Sequence, residues 1–274
     1  MYWAAPGTSN SNKFINERTI HWGNFFGMQQ FVYKQLPDKL KELTYNFPKP
    51  SLFDALLGRQ RLHRDFIYSA IKDNNIQDKC VMTYFGVAQK TKPHNQCFIE
   101  DFIWEPGTDV DLTKTIRGTH EEVVYNGIRE GISRIIPIEI FNKTAYSIVA
   151  ETNFDNRITF YTEKIAKPMM ARRLFVVFTG YKFLEHLRQL GFQTFDNVID
   201  ESYDQIEDNE ARWTAAFEQV KLLCDLDQAE VFDKIKDRVE HNYNLLMSTD
   251  WDQDLANSMQ QKLNRFFNNV QSKI

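Results

Sequence analysis

The stretch "YSIVAETNFDNRITFYTEKIAKPMMARRLFVVFTG", Tyr146 to Gly180, decides the fold class. It reads as a buried strand, a polar loop, a helix opening at Thr162-Glu163-Lys164, and a second buried strand that ends at Gly180. A strand covered on both faces is apolar throughout, and two such strands joined through a helix belong to a parallel sheet. Thr162 is a good N-cap, and Glu163 and Lys164 fall in the first helical turn. Glu151, Arg157, Glu163, Lys164 and Lys167 gather around this one strand–helix turn. Solubility does not require that much charge there, and an anionic ligand would use it.

Outward from this unit the same rhythm continues. "SLFDALLG" (51–58) reads as a strand, "RLHRDFIYSAIKDN" (61–74) as an amphipathic helix and "KCVMTYFGV" (79–87) as another strand. Strands are predicted near 52–57, 80–85, 146–151 and 174–179, all parallel. Residues 89–135 are polar and irregular and read as an inserted excursion, and "PIEIFNKTA" (137–145) as a short helix leading into the next strand. After Gly180 come the helix "YKFLEHLRQLG" (181–191) and a short strand "FQTFD" (192–196). Two amphipathic helices follow over 209–225 and 227–248, with Phe217, Val220, Leu222 and Leu223 at helical spacing, then a last helix over about 252–270.

At the other end, residues 1–13 read as a loose arm, 15–36 as aromatic and weakly helical, and 37–50 as a short helix with prolines that mark a boundary near Pro50. The fold class is therefore α/β, a Rossmann-like parallel sheet with helices on both faces and a helical C-terminus. It divides into a short N-terminal segment (1–48), the sheet domain (49–250, with 89–135 inserted) and a C-terminal helix (251–274).

The chain has 274 residues, 42% of them hydrophobic, which is enough for a sizeable core. A formal charge of -4 carries no general polyanion-binding signature, so any nucleic-acid contact would be local. A strip of Arg59, Arg61, Arg64, Arg172 and Arg173 is the candidate for tracking a nucleic-acid backbone. Cys80, Cys97 and Cys224 are odd in number and lack CxxC spacing, which fits a reducing compartment and argues against a disulfide or zinc scaffold. No apolar run approaches the ~20 residues of a membrane span, and the start lacks a signal-peptide pattern. A soluble cytoplasmic protein is the expectation.

Chemistry concentrates at two helix starts. In a parallel sheet, ligands sit outside the carboxyl ends of the strands, where the loop 151–162 lies. A helix N-terminus offers N–H groups and partial positive charge to phosphate. Lys164 and Arg157 can neutralise a diphosphate, and Glu163 can accept from ribose hydroxyls. Arg59, Arg61, His63 and Arg64 crowd the second helix start, after "LFDALLG", and arginine suits bidentate phosphate binding. On composition alone, the charges at the Thr162 helix start suit the solvated rim of an ordinary βαβ unit better than a ligand site, and the Arg59–Arg64 cluster suits a basic helix start that caps an acidic neighbour as well as it suits phosphate.

No GxGxxG, P-loop or GxSxG is present, the "HRD" triplet lacks the rest of a kinase signature, and the six histidines show no metal spacing. Asp109-Val110-Asp111 imitates a metal-binding Asp-x-Asp, but three residues match by chance often, so no metal site is expected. His21 and Trp22 read as packing residues, with stacking on an acceptor as the alternative. The acidic "DESYDQIED" lacks the glycine a calcium loop needs.

The order of residues adds a resemblance. Glu-Thr-Asn, a short loop, Phe-Tyr-Thr-Glu-Lys, an apolar helix and "LFVVFTG" resemble the donor-binding signature of α1,3-fucosyltransferase-like glycosyltransferases. "TEKIAKP", "LRQLGFQTFDNVIDESYD" and the following Arg212 resemble still more closely the fucosyltransferase-like proteins of large phages and viruses. The similarity covers Tyr146 to Trp213. "LHRDFIYSAIKDN" resembles the Arg-led helix that opens the family's donor domain.

The resemblance implies that Glu163 holds the ribose of a nucleotide sugar, that Lys164 and Arg64 hold its diphosphate, and that Glu151 lines the pocket beside Thr162. The family's Asn after the first Glu is Thr152 here, with Asn153 next, so that contact is displaced by one position. The family implies a GT-B glycosyltransferase of two Rossmann domains that inverts configuration and needs neither a metal nor another cofactor. The sugar would pass to a hydroxyl of a glycan or of a modified phage DNA base, in the host cytoplasm for a phage or virus.

His63, Asp54 and Asp65 lie near the expected site, and His63 or Asp54 is the candidate general base. About 48 residues precede the donor domain, fewer than an ordinary acceptor domain needs. The excursion at 89–135 would supplement it, or a second copy in a homo-oligomer would complete it. Otherwise the chain binds a nucleotide or nucleotide sugar without turnover.

Overall fold

The structure, a computed structural model, describes residues 25–58, 60–84, 108–110, 123–125, 128–130, 135–156 and 159–271. In chain order these form α1 (Phe25–Gln35), β1 (Ser51–Gly58), α2 (Leu62–Asp73), β2 (Cys80–Tyr84) and three short strands, β3 (Thr108–Val110), β4 (Val123–Tyr125) and β5 (Ile128–Glu130). Then come α3 (Ile138–Lys143), β6 (Thr144–Ala150), α4 (Glu163–Met170), β7 (Phe175–Phe178), α5 (Phe183–Gln189), α6 (Asn209–Leu223), α7 (Gln228–Ser248) and α8 (Trp251–Gln271).

Four strands form one all-parallel sheet in the order β2-β1-β6-β7. Every residue of β6 and β7 is buried, as expected of strands covered on both faces; β7 is apolar throughout, and the Thr144 and Ser147 hydroxyls of β6 are satisfied internally by Asp54 and Arg173. The two covers are visible at β7. Phe178 meets Phe66 of α2, which also packs on Trp213 and Phe217 of α6. Phe175, three residues earlier and on the other face, packs edge-on against Phe195, whose neighbours Asp196 and Asn197 bond to α7. The helices start where local chemistry favours it. Asp208 accepts from Ala211 N to open α6, and Asp227 accepts from Ala229 N and Glu230 N to open α7.

Strand order positions the site. From β1 the chain steps outward to β2, then returns on the other side of β1 with β6 and continues outward to β7. The direction of winding reverses between β1 and β6. At such a switch point the two following loops part and leave a crevice at the carboxyl edge.

Two expectations change. "FQTFD" (192–196) forms no strand. Its backbone is satisfied by side chains instead: Gln193 exchanges hydrogen bonds with the Asn242 amide, and Phe195 N donates to Glu201 Oε1. Phe192 and Phe195 are buried all the same. Within the excursion the described residues include a small antiparallel sheet, β3-β4-β5. Asp109 lies in β3, whereas Asp111, His21, Trp22 and Cys97 lie outside the described residues. The N-terminal part packs onto the same core. Phe26 of α1 meets Tyr161, Phe192 and Trp251, and Gln30 donates to the carbonyls of Leu246, Met247 and Thr249 where α7 ends. No helix among the described residues is long and apolar enough to cross a membrane.

Candidate functional site

At the carboxyl edge, β1 ends on Gly58 with φ 64, a backbone angle that glycine adopts without strain. The chain then turns through an extended Arg61 into α2. This brings His63 against the end of β6, where its Nε2 lies 2.7 Å from the Glu151 carbonyl oxygen. A carbonyl only accepts, so Nε2 carries the proton and Nδ1 is left as a bare lone pair. Nδ1 is buried without a partner, between the rings of Phe154 and Trp213. Burial pushes the His63 pKa down to about 3, so the imidazole is neutral. His63 thus ties the start of α2 to the end of β6 across the switch point.

Glu151 closes the loop that follows. Its Oε2 accepts from Thr152 N at 2.9 Å and from Thr162 Oγ1 at 2.6 Å, and its Oε1 accepts from Thr162 N at 3.1 Å. The carboxyl is wholly buried, and burial pushes its pKa up against the Lys164 charge and these hydrogen bonds. Thr162 caps α4 in turn, its Oγ1 accepting from Lys164 N. The Lys164 ammonium reaches Glu163 Oε1 at 2.5 Å and Thr152 Oγ1 at 3.1 Å. Burial pushes the Glu163 carboxyl up, but the attraction of Lys164 and Lys167 outweighs it and holds the group below the usual range.

Arg64 is 4% exposed. Burial and the like charge of Arg61 bring its pKa down to about 10, and the pull of Glu151 and Glu163 opposes them. Arg64, Glu151, Glu163 and Lys164 therefore form one electrostatic group, although Arg64 and Glu163 come from different βα units.

The two helix starts are not alike. That of α4 is occupied by the protein's own groups: Glu151 on Thr162 N and the Thr162 hydroxyl on Lys164 N. The expectation that its N–H groups face a phosphate is corrected on this point. The start of α5 is filled as well, by the Asp204 carboxylate on Leu184 N and Glu185 N. The start of α2 has no side-chain cap; it is flanked by Arg61, Arg64 and the exposed Leu62. Among the described helix starts at this edge it is the one without a side-chain cap, and Asp65 lies in its first turn.

Comparison of the chain finds no match among family models, curated proteins or solved structures.

The remaining expected residues divide. Asn153 builds the loop: its Oδ1 accepts from Asp155 N, and its carbonyl accepts from Thr179 Oγ1 beyond β7. Arg157 and Arg59 lie outside the described residues. Asp65 accepts from Gln60 Nε2 and from the Tyr84 hydroxyl.

Asp54 is elsewhere. It pairs with Ser147, four residues before Glu151, which puts it ~13 Å from the edge at strand rise. There its Oδ2 meets Arg173 Nη2 at 2.8 Å, Ser147 Oγ at 2.9 Å and Thr144 Oγ1 at 3.2 Å. It is the core of a buried ion pair and reaches no acceptor at the carboxyl edge. His63 does not suit a base either, since its one proton is committed to a carbonyl and the ring is sealed from solvent. The arginine strip also separates, because Arg172 and Arg173 sit just before β7, at the amino-terminal edge, away from Arg61 and Arg64.

Gly180 and Arg212, which the sequence marked only as a strand end and as part of the resemblance, shape the edge from β7. Gly180 lies so close to the loop that an added Cβ would stand 2.9 Å from the Asp155 carbonyl oxygen. Buried Arg212 holds the carbonyls of Thr179, Ile206 and Glu207. The signal for both was their place directly after strand and loop ends, which local pattern does not separate from ordinary turns. No group of metal-ligating side chains occurs among the described residues.

Proposed function

We propose that this chain binds a nucleotide sugar at the carboxyl edge of its sheet and acts as a fucosyltransferase-like glycosyltransferase. In this reading the diphosphate rests on the uncapped start of α2, between Arg61 and Arg64. Lys164 faces it from the start of α4, and Glu163 accepts from the ribose. The observation that carries the reading is the meeting of Arg64, Glu163 and Lys164 at the β1/β6 switch point, beside the one helix start there, among the described residues, that lacks a side-chain cap. The order Glu-Thr-Asn to "LFVVFTG" supplies the sugar nucleotide and the GT-B type, by resemblance. Transfer would be inverting, to a glycan or DNA hydroxyl, with Arg64, Lys164 and the α2 dipole stabilising the departing diphosphate.

A second reading has its own support. Both sequence candidates for the base are internal, His63 in a hydrogen bond and Asp54 in an ion pair. That favours a protein that binds the nucleotide sugar without turnover. A thermal-shift screen with UDP-, GDP-, dTDP- and CMP-linked sugars tests the shared claim, because a ligand at a hundred times its Kd stabilises by about 2.7 kcal/mol. Stabilisation by none of them ends both readings. Release of nucleotide from the stabilising donor, alone or with a glycan or DNA acceptor, separates the enzyme from the binder.

A further inference from the structure

At the opposite, amino-terminal edge of the sheet lies a small, partly enclosed cavity. The segment 43–49, the start of β6, the turn Ala171–Leu174 and α7 enclose it. It offers about 20 Å³ to the centre of a water-sized sphere, and a single water needs roughly 10–15 Å³. Room for one small species excludes a nucleotide or a phosphate ester. Phe47, Phe141, Phe232 and Ile235 make much of the wall apolar; Lys49, Arg172, Arg173 and Tyr146 also line it.

The charges on this wall do not balance. Arg173 is matched by Asp54, with its other donors on Ser147 Oγ and the carbonyls of Phe141, Thr144 and Tyr146. Arg172 is matched by Glu240 and lies flat on Tyr243. Lys49 is only 7% exposed, and its ammonium donates to Thr44 O at 2.7 Å and Thr44 Oγ1 at 2.9 Å, both neutral. The charged neighbour acting on it is Arg173, of the same sign; burial and that repulsion bring its pKa down to about 8. A buried cation with neutral partners alone is costly. Tyr146 adds the second observation. It is 2% exposed, and its hydroxyl is buried with no hydrogen-bond partner. On the Lys49 side the wall thus has a surplus positive charge and an ammonium with a third proton to give; on the Tyr146 side it has an unused hydroxyl donor, on which the Asp227 carboxylate also acts.

We propose that this cavity binds one small monovalent anion, in the size range from chloride to nitrate or formate, which accepts from the Lys49 ammonium and the Tyr146 hydroxyl. A water molecule would fill the space but leave the Lys49 charge unmatched. The anion would fix the 43–49 segment to β6 and α7, at the far end of the sheet from the proposed nucleotide site.

The test follows thermal unfolding of the full chain in a gluconate background, too bulky to enter, with bromide or formate titrated at constant ionic strength. The wild type is expected to gain a saturable rise in Tm. Tyr146→Phe keeps the shape, removes only the unused donor and should melt normally in gluconate. Its half-saturating bromide concentration should rise at least about ten-fold, since a hydrogen bond to a charged group contributes ~1.5 kcal/mol or more. Lys49→Met should abolish the response. A bromide-soaked crystal should show an anomalous peak within reach of Lys49 Nζ. No saturable response in the wild type, an unchanged response in either variant, or a cavity that holds water alone overturns the assignment. Should Lys49→Met not fold, Tyr146→Phe and the bromide peak decide.

Discussion

Acidification should unlock the tie between α2 and β6, and the magnitude follows from His63. Its pKa is about 3 in the folded protein against an ordinary value of 6.5. In that interval the unfolded chain binds a proton that the folded chain refuses. The stability contributed by the neutral ring is therefore fully present above about pH 6.5 and is lost as pH falls toward 3. Each pH unit in that window removes about 1.4 kcal/mol, so about 2 kcal/mol is gone by pH 5. Other groups titrate as well. Burial raises the Glu151 and Asp54 pKa values, so their protonation on folding acts in the opposite direction, at the acid end.

A difference measurement isolates the ring. His63→Gln can still donate to the Glu151 carbonyl but has nothing to protonate. Urea unfolding followed by circular dichroism, from about pH 7.5 to about pH 5, should give a wild-type stability that falls about 2 kcal/mol further than that of the variant. The variant should start lower near pH 7.5, through lost packing on Phe154 and Trp213. Parallel pH curves for the two proteins would refute the account of His63 as a buried neutral ring.

Four further outcomes follow. Lys164→Ala should weaken nucleotide-sugar binding in calorimetry by ~1.5–3 kcal/mol on the folded protein, which also loses some stability because Glu151 and Glu163 lose a nearby cation. Glu163→Gln and Arg64→Ala should be non-additive in binding the same ligand. Arg64→Ala should hurt a diphosphate ligand more than a bare nucleoside; simple additivity would mean that no single ligand spans both residues. Asp54→Asn should cost ~3–5 kcal/mol in urea unfolding, as it leaves Arg173 charged and buried, with no change in nucleotide affinity measured on the remaining folded protein. Gly180→Ala should destabilise by ~1–3 kcal/mol in the same assay, since its Cβ would meet backbone at Asp155 rather than a side chain that can move.

How much the sequence disclosed depends on the range of each interaction. β6 and β7 were legible because burial on both faces leaves a local mark, a mostly apolar run, β1 and β2 because short apolar runs alternate with helical segments, and α6 and α7 because their apolar residues recur at helical spacing. "FQTFD" carried the same aromatic mark and still formed no strand. What decided it was Asn242 and Glu201, which arrive from α7 and from the turn before α6 to satisfy its backbone. The pairing of Arg64 with the carboxylates at 151 and 163 was legible only as a consequence of parallel order, since residues after adjacent carboxyl ends must come together. The partner of Asp54 was not legible. Arg173 lies far along the chain and looks, in sequence, like one more surface charge of "ARRLF".

The charges around Tyr146–Gly180 therefore answer to two demands. Glu151 and Thr162 are spent on the loop itself: they satisfy the backbone donors that a strand–helix turn would otherwise bury unpaired. Bringing a carboxylate inside for that purpose creates a second demand, for cations close by, and Lys164 and Arg64 meet it while remaining at the edge. With Arg61 and Lys167 the described cluster sets four cations against Glu151, Glu163 and the Asp65 of the first α2 turn, so one positive charge is left over at this edge. A loop that needed only to be stable would have no use for that surplus. Its position at the switch point, and not the number of charged residues in the turn, is what makes an anionic ligand the economical reading of this edge.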